Sequence, residues 1–337
     1  MISIPGSPTI VIHPGLPKTG TTFLQNRLFD PHPEIAMIGK PFTEAAKSHR
    51  LDDACRALSQ LSTAGWDKAR PLARRHFETA LKDPRVFDPE QHSVLLLSHE
   101  GLLTPKYGLP AEEVYARVCE VFGEGFRILL TVREQRSWLE SFYLFRFTQP
   151  VTNPEICLGP RGWLREQRRN DRNLLTALNH ETSLGPWLPE EDPDRLLVIP
   201  FELIADNRVE DYSVALASFL QIKAAEVETA LARDSSAVNA RRTDQELALA
   251  KVEAMTCYLN MSFLERAFFR WMRARIEKRL GQHGIESPSG LFLGESDLLS
   301  KEEIRAYRDS NAALQKRCSW NLTRLGYKFP ESPSEPR

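Results

Sequence analysis

The chain has 337 residues, of which 42% are apolar, 9% aromatic and 26% charged. That composition sustains a buried core and excludes wholesale disorder or a fibrous repeat. Forty-four Lys and Arg against forty-five Asp and Glu leave a net charge of −1, which excludes a polycation that coats nucleic acid. At roughly 150 residues per domain, the length gives about two domains or one large α/β domain with insertions.

The first predicted element is a β-branched strand, Thr9–His13, followed by a Gly/Pro/Thr loop and a helix from Thr21 that carries Phe23, Leu24 and Leu28. Residues 41–90 read as a polar helical insertion, with Pro71, Pro84 and Pro89 as breaks. Continuous apolar runs at 93–98, 126–132 and 195–200 read as strands buried on both faces. Helical stretches follow at 135–147 and 211–220, a long one at 244–282, and a last one from about Lys301, before a frayed Pro-rich tail at 331–337. Strands alternating with helices imply a mostly parallel sheet flanked by helices, in a single domain over 1–330.

The loop His13-Pro-Gly-Leu-Pro-Lys-Thr-Gly-Thr-Thr22 joins a strand to a helix N-terminus, where unpaired N–H groups and the helix dipole attract a phosphate. The Walker loop runs Gly, four residues, Gly-Lys-Ser/Thr. Gly15 and Gly20 fit its glycines, but Thr21 stands where its lysine belongs, and the lysine sits three residues earlier as Lys18. Thr21 and Thr22 add hydroxyl donors, and Lys18 adds a full charge.

Pro17-Lys18-Thr19-Gly20-Thr21-Thr22 resembles the 5′-phosphosulfate loop of sulfotransferases that use 3′-phosphoadenosine 5′-phosphosulfate (PAPS). A second motif of that family, Arg, seven residues, Ser, one residue, Tyr, resembles Arg133 to Ser141 and Tyr143. Glu134-Gln135 departs from the Asn-Pro or Asp-Pro that many members carry after the arginine. Weaker resemblances are the strand running into Phe201-Glu202, the helix end Ser218-Phe-Leu-Gln, and Val238-Asn-Ala-Arg241-Arg242.

The resemblance implies an α/β, P-loop-like fold of the nucleoside-kinase type with helical insertions. It implies PAPS as donor and PAP as product, with no metal required. Residues 17–22 would hold the 5′-phosphosulfate and Arg133 and Ser141 the 3′-phosphate, with Arg241 and Arg242 as further candidate contacts. A general base beside the acceptor hydroxyl is needed for in-line sulfuryl transfer. The 93–98 strand ends in His99-Glu100, and members of the family use a histidine or a glutamate there; the Ser-x-Glu form leans toward Glu100. On ordinary pKa values the acid limb would lie near 6.5 for His99 and lower for Glu100, unless burial raises the carboxylate. Among the other histidines, His13 and His32 precede prolines and His49 and His76 lie in polar stretches, and none shows metal-ligand spacing.

Two other readings stay open: a nucleotide or metabolite kinase with a degenerate loop, and a non-enzymatic lipid-binding protein. The second would use 263–280, where six Lys/Arg face two Glu among Phe268, Phe269, Trp271 and Met272. A run of Arg161, Arg165, Arg168, Arg169 and Arg172 points to a polar or anionic acceptor, such as a glycan or glycolipid, with a small alcohol or phenol as the other choice. The five cysteines lie far apart with no C-x-x-C pair, so free thiols in a reducing compartment are expected. The first seventeen residues carry no Lys or Arg but four prolines, and no apolar run reaches the ~20 residues of a membrane span, so a cytoplasmic protein is expected.

Overall fold

The computed structural model describes residues 1–103, 109–149, 152–169, 176–188, 193–206, 208–232, 254 and 299–330. Among the described residues five strands form one sheet: β1 (Thr9–His13), β2 (Ile35–Met37), β3 (Val94–Ser98), β4 (Arg127–Val132) and β5 (Leu196–Pro200). Their order is β2-β3-β1-β4-β5, with every pairing parallel. A parallel sheet needs both faces covered, which is why β3 and β4 read as unbroken apolar runs. The α/β class and the parallel sheet are those expected from the sequence. β2 was not expected, because three residues are too few to show a period.

The helices in chain order are α1 (Thr21–Leu24), α2 (Glu44–Ser48), α3 (Leu51–Gln60), α4 (Thr63–Ala80), α5 (Ala111–Phe122), α6 (Gln135–Arg146) and α7 (Gly159–Arg169). They continue with α8 (His180–Leu184), α9 (Phe201–Ala205), α10 (Val209–Leu220), α11 (Ala224–Ala232) and α12 (Lys301–Gln315). α1 runs directly into a π-helical turn, Gln25–Phe29, closed by the Asp30 N–H on the Gln25 carbonyl at 2.9 Å.

The chain divides into two compact units. The first holds Met1–Glu134, Thr176–Ser236 and Tyr307–Arg337; the second holds Gln135–Leu175 and Ala237–Ala306. In the first unit the strand register sets Val11 against Leu96 and Ile12 against Ile128, so alternate residues serve opposite faces. Val11, Leu96, Leu129 and Ile199 join Leu24, Leu28, Leu216 and Leu220 in one buried cluster. Each such side chain contributes about 1.5–3 kcal/mol by leaving water.

The insertion is helical over α2 to α4, but Pro71 does not break it. Pro71 lies inside α4, and the carbonyl that loses its partner, on Asp67, is on an exposed face where water can replace the bond. In the second unit α6 and α7 share an aromatic core, with Trp138 stacked on Phe142 at 4.9 Å and Tyr143 5.2 Å from Trp163. Tyr143 donates its hydroxyl to the Ile156 carbonyl at 3.0 Å, so the core closes without an orphaned phenol. No helix among the described residues is long and apolar enough to cross a membrane. The expected helix at 244–282, with its basic stretch 263–280, and the tail at 331–337 lie outside the described residues, Ala254 excepted.

Arg117, 1% exposed, ties the insertion to α5. Its guanidinium donates to the carbonyls of Leu58 and Leu61 at 3.2 and 2.9 Å, and to Glu113 at 2.5 Å. Arg117→Ala strips the C-terminal carbonyls of α3 of their donor, so we expect a loss of roughly 3 kcal/mol in urea unfolding. A change below about 0.5 kcal/mol would show that water takes over those carbonyls.

Candidate active site

Open parallel sheets bind ligands beyond the C-terminal ends of their strands. Here β1, β3 and β4 end side by side, and each hands over to a segment carrying charge. β1 ends in the loop 14–20. Gly15 sits so close to Thr21 that a Cβ would collide with the Thr21 hydroxyl. Gly20 takes φ +91°, a conformation that favours glycine, and a Cβ there would stand 3.0 Å from Ile204. Lys18 also lies in the left-handed region, at φ +69°, where a side chain costs about 1–2 kcal/mol.

The two threonine hydroxyls at 19 and 21 do not face outward. Both side chains are buried, and both donate to the Leu16 carbonyl, at 2.6 and 3.4 Å. They shape the loop from within. Thr22 is exposed, and with the backbone N–H groups of the first helical turn it supplies the outward donors.

Arg133 follows β4 and reaches back to the loop, its Nη1 donating to the Lys18 carbonyl at 3.0 Å. Its guanidinium lies over the Phe201 ring at 4.3 Å. The departure at Glu134 has a local explanation: its N–H donates to Glu202 at 2.9 Å, and Tyr327 donates to the other Glu202 oxygen at 3.2 Å. Glu202 therefore pins the turn after β4 through the Glu134 N–H. Burial raises the Glu202 pKa against the pull of these donors.

His99 and Glu100 follow β3 and differ sharply. His99 is 2% exposed, its Nδ1 accepts the Gly101 N–H at 3.1 Å, and its Nε2 is buried. Burial, then the charges of Lys40 and Arg56, lower its pKa to about 4. Glu100 is half-buried; burial raises its pKa, and Lys40 and then Lys18 oppose the rise. Burial, then Arg133, lowers the Lys18 pKa, while Glu100 raises it. Burial thus moves the two candidate bases in opposite senses, His99 down and Glu100 up.

The structure brings residues 17–22, His99, Glu100 and Arg133 to one edge of the first unit. Ser141 is half-buried on α6 in the second unit, and Arg241 and Arg242 lie outside the described residues. Of the arginine run, Arg161, Arg165, Arg168 and Arg169 lie on α7, with Arg168 paired with Glu303 at 2.7 Å, and Arg172 lies outside the described residues. Among the described residues no three His, Cys, Asp or Glu side chains converge to hold a metal. Sequence reasoning missed Phe201 under Arg133, and it missed His13, Gln25, Ser98 and Thr131 beneath the loop. Only their polarity inside apolar strands and a helix could have pointed to the last four.

No family model matches the chain, and no curated protein matches it. Among solved structures it is similar to a sulfotransferase from Alicyclobacillus acidocaldarius, at 15% identity and a TM-score of 0.39, over 78% of this chain and 98% of that one. It is also similar to the sulfotransferase domain of the Synechococcus PCC 7002 olefin synthase, at 16% identity and a TM-score of 0.37, over 91% and 94%.

His13, His99 and His180 fold as neutral, buried imidazoles, with pKa values lowered by burial from 6.5 to about 3, 4 and 4. Unfolding exposes them to take up protons near pH 6.5, so the unfolded chain binds more protons below that value. Stability should be level in this respect above pH 6.5 and fall as the pH drops toward 4. Urea midpoints across that window test it; equal midpoints for wild type at pH 7 and 4.5 would show that these imidazoles do not fold neutral.

Proposed function

We propose that this chain is a PAPS-dependent sulfotransferase that moves a sulfuryl group onto a hydroxyl acceptor. The observation that carries the reading is the meeting of two motifs 115 residues apart, where Arg133 donates to the carbonyl of Lys18. The donor set suits the nucleotide: Lys18, Thr22 and the loop N–H groups face the 5′ end, and Arg133 suits the 3′-phosphate that separates PAPS from ATP. Ser141, Arg241 and Arg242 remain candidate contacts for that phosphate.

In the proposed step the acceptor oxygen bonds to sulfur as the bond from sulfur to the 5′-phosphate oxygen breaks. Glu100 takes the acceptor proton, and Lys18 stabilises the charge left on PAP. Glu100 suits the base better than His99. Burial raises its pKa and lowers that of His99, and Glu100 interacts with Lys18, whereas one His99 nitrogen accepts the Gly101 N–H and the other is buried. The acceptor is read as a polar molecule, such as a glycan or glycolipid, on the strength of the arginine run from Arg161 to Arg172.

Lys18→Ala should lower kcat at least ~100-fold while PAP still binds. Glu100→Gln should lower it about as much, and His99→Ala should leave kcat near normal once folding is confirmed. The acid limb of activity should lie above an ordinary glutamate value of 4.5, because burial raises the base that must be deprotonated. A limb near pH 4 that vanishes in His99→Ala would reassign the base. PAP should raise the melting temperature more than ATP does, and Arg133→Ala should erase that difference. Equal stabilisation of wild type by ATP would overturn the donor.

A further inference from the structure

The hydrogen bonds beneath the loop determine where each proton lies. A carbonyl can only accept, so the single proton of Thr19 is committed to Leu16 O at 2.6 Å. Thr19 Oγ1 also lies 2.9 Å from Thr131 Oγ1, so at that contact Thr131 must donate. With the Thr131 proton used, the contact between His13 Nε2 and Thr131 Oγ1 at 3.4 Å requires the imidazole to donate. His13 Nδ1 then has to accept, and Ser98, 2.8 Å away, donates to it. The Gln25 amide completes the series by donating to Ser98 at 2.9 Å. One direction satisfies every member: Gln25 to Ser98 to His13 to Thr131 to Thr19 to Leu16.

This series joins the three segments of the site. Ser98 ends β3, next to His99-Glu100; Thr131 lies two residues before Arg133; Thr19 lies in the loop beside Lys18. His13, fully buried at the end of β1 with its ring edge on Phe29 at 5.4 Å, is the link between them. We propose that His13 is a positioning residue for this site, held as the neutral Nε2–H tautomer, through which the strand ends keep Lys18, Glu100 and Arg133 in place. A charged ring would set a second donor against Ser98 and leave that hydroxyl proton without its acceptor. The strongly lowered pKa, caused by burial, agrees with a neutral ring.

The proton order can be read without any ligand, and only the affinity readout rests on the PAPS reading. Long-range ¹H–¹⁵N spectra of the full chain, assigned by the signal lost in His13→Phe, should show the His13 proton on Nε2 throughout pH 5–8. A proton on Nδ1, or a titrating ring, overturns the proposal. Thr131→Val cuts the series one step away and should shift the amide signals of Lys18, Glu100 and Arg133 in the free protein; unmoved signals overturn it as well. In calorimetry, His13→Phe and Thr131→Val should each weaken PAP binding roughly tenfold, and the pair together no more than either alone. His13→Gln, which restores a donor toward Thr131, should recover most of the affinity. Additive losses of about a hundredfold would mean that the two residues act separately. Failure of wild type to bind PAP would sink the sulfotransferase reading and leave the tautomer and amide-shift results to decide the role of His13.

Discussion

Lys18 and Arg133 carry like charges, yet both stand at one edge of the sheet, near enough for each to matter to the other. The molecule resolves the conflict with a backbone carbonyl, an aromatic face and a carboxylate. Arg133 turns its guanidinium onto the Lys18 carbonyl and the Phe201 face, and Glu100 supplies the opposing charge from the end of β3. A left-handed lysine, a glycine that admits only hydrogen at its Cβ position, and a glutamate that clamps the turn after β4 all serve that arrangement.

Much of the framework was legible in the sequence because it is local. A buried parallel strand has to be apolar throughout, so β1, β3, β4 and β5 stood out within a residue of their ends. The loop was legible because glycines and a helix start are tied to one backbone shape. β2 was not, being three residues long. Nor was the tolerance of Pro71, which depends on which face of α4 meets water. The division into two units also escaped a reading along the chain, since each unit is assembled from segments far apart in sequence.

The site was legible as a set of residue types and not as a set of directions. Thr19 and Thr21 look like ligand-facing hydroxyls in a string of letters, but they turn inward to Leu16. His99 and Glu100 look equivalent as neighbours beyond a strand. One is enclosed and caps a turn, the other remains half-buried among lysines, and burial moves their pKa values in opposite senses. His13 was set aside for lack of metal-ligand spacing, although its role depends on partners 85 and 118 residues away.

The π-helical turn after α1 has a consequence for what completes such a loop. An i to i+5 closure takes one residue more than an α-helical turn, so it shifts the angular phase of everything after it. Gln25, which opens the turn, reaches Ser98, and Phe29, which closes it, lies against His13. Closing the same residues as an α-helical turn would leave every letter from Pro17 to Thr22 intact while rotating Phe29 off the imidazole. The loop is therefore complete only together with the pitch of the helix behind it, a property that the letters of the loop do not carry.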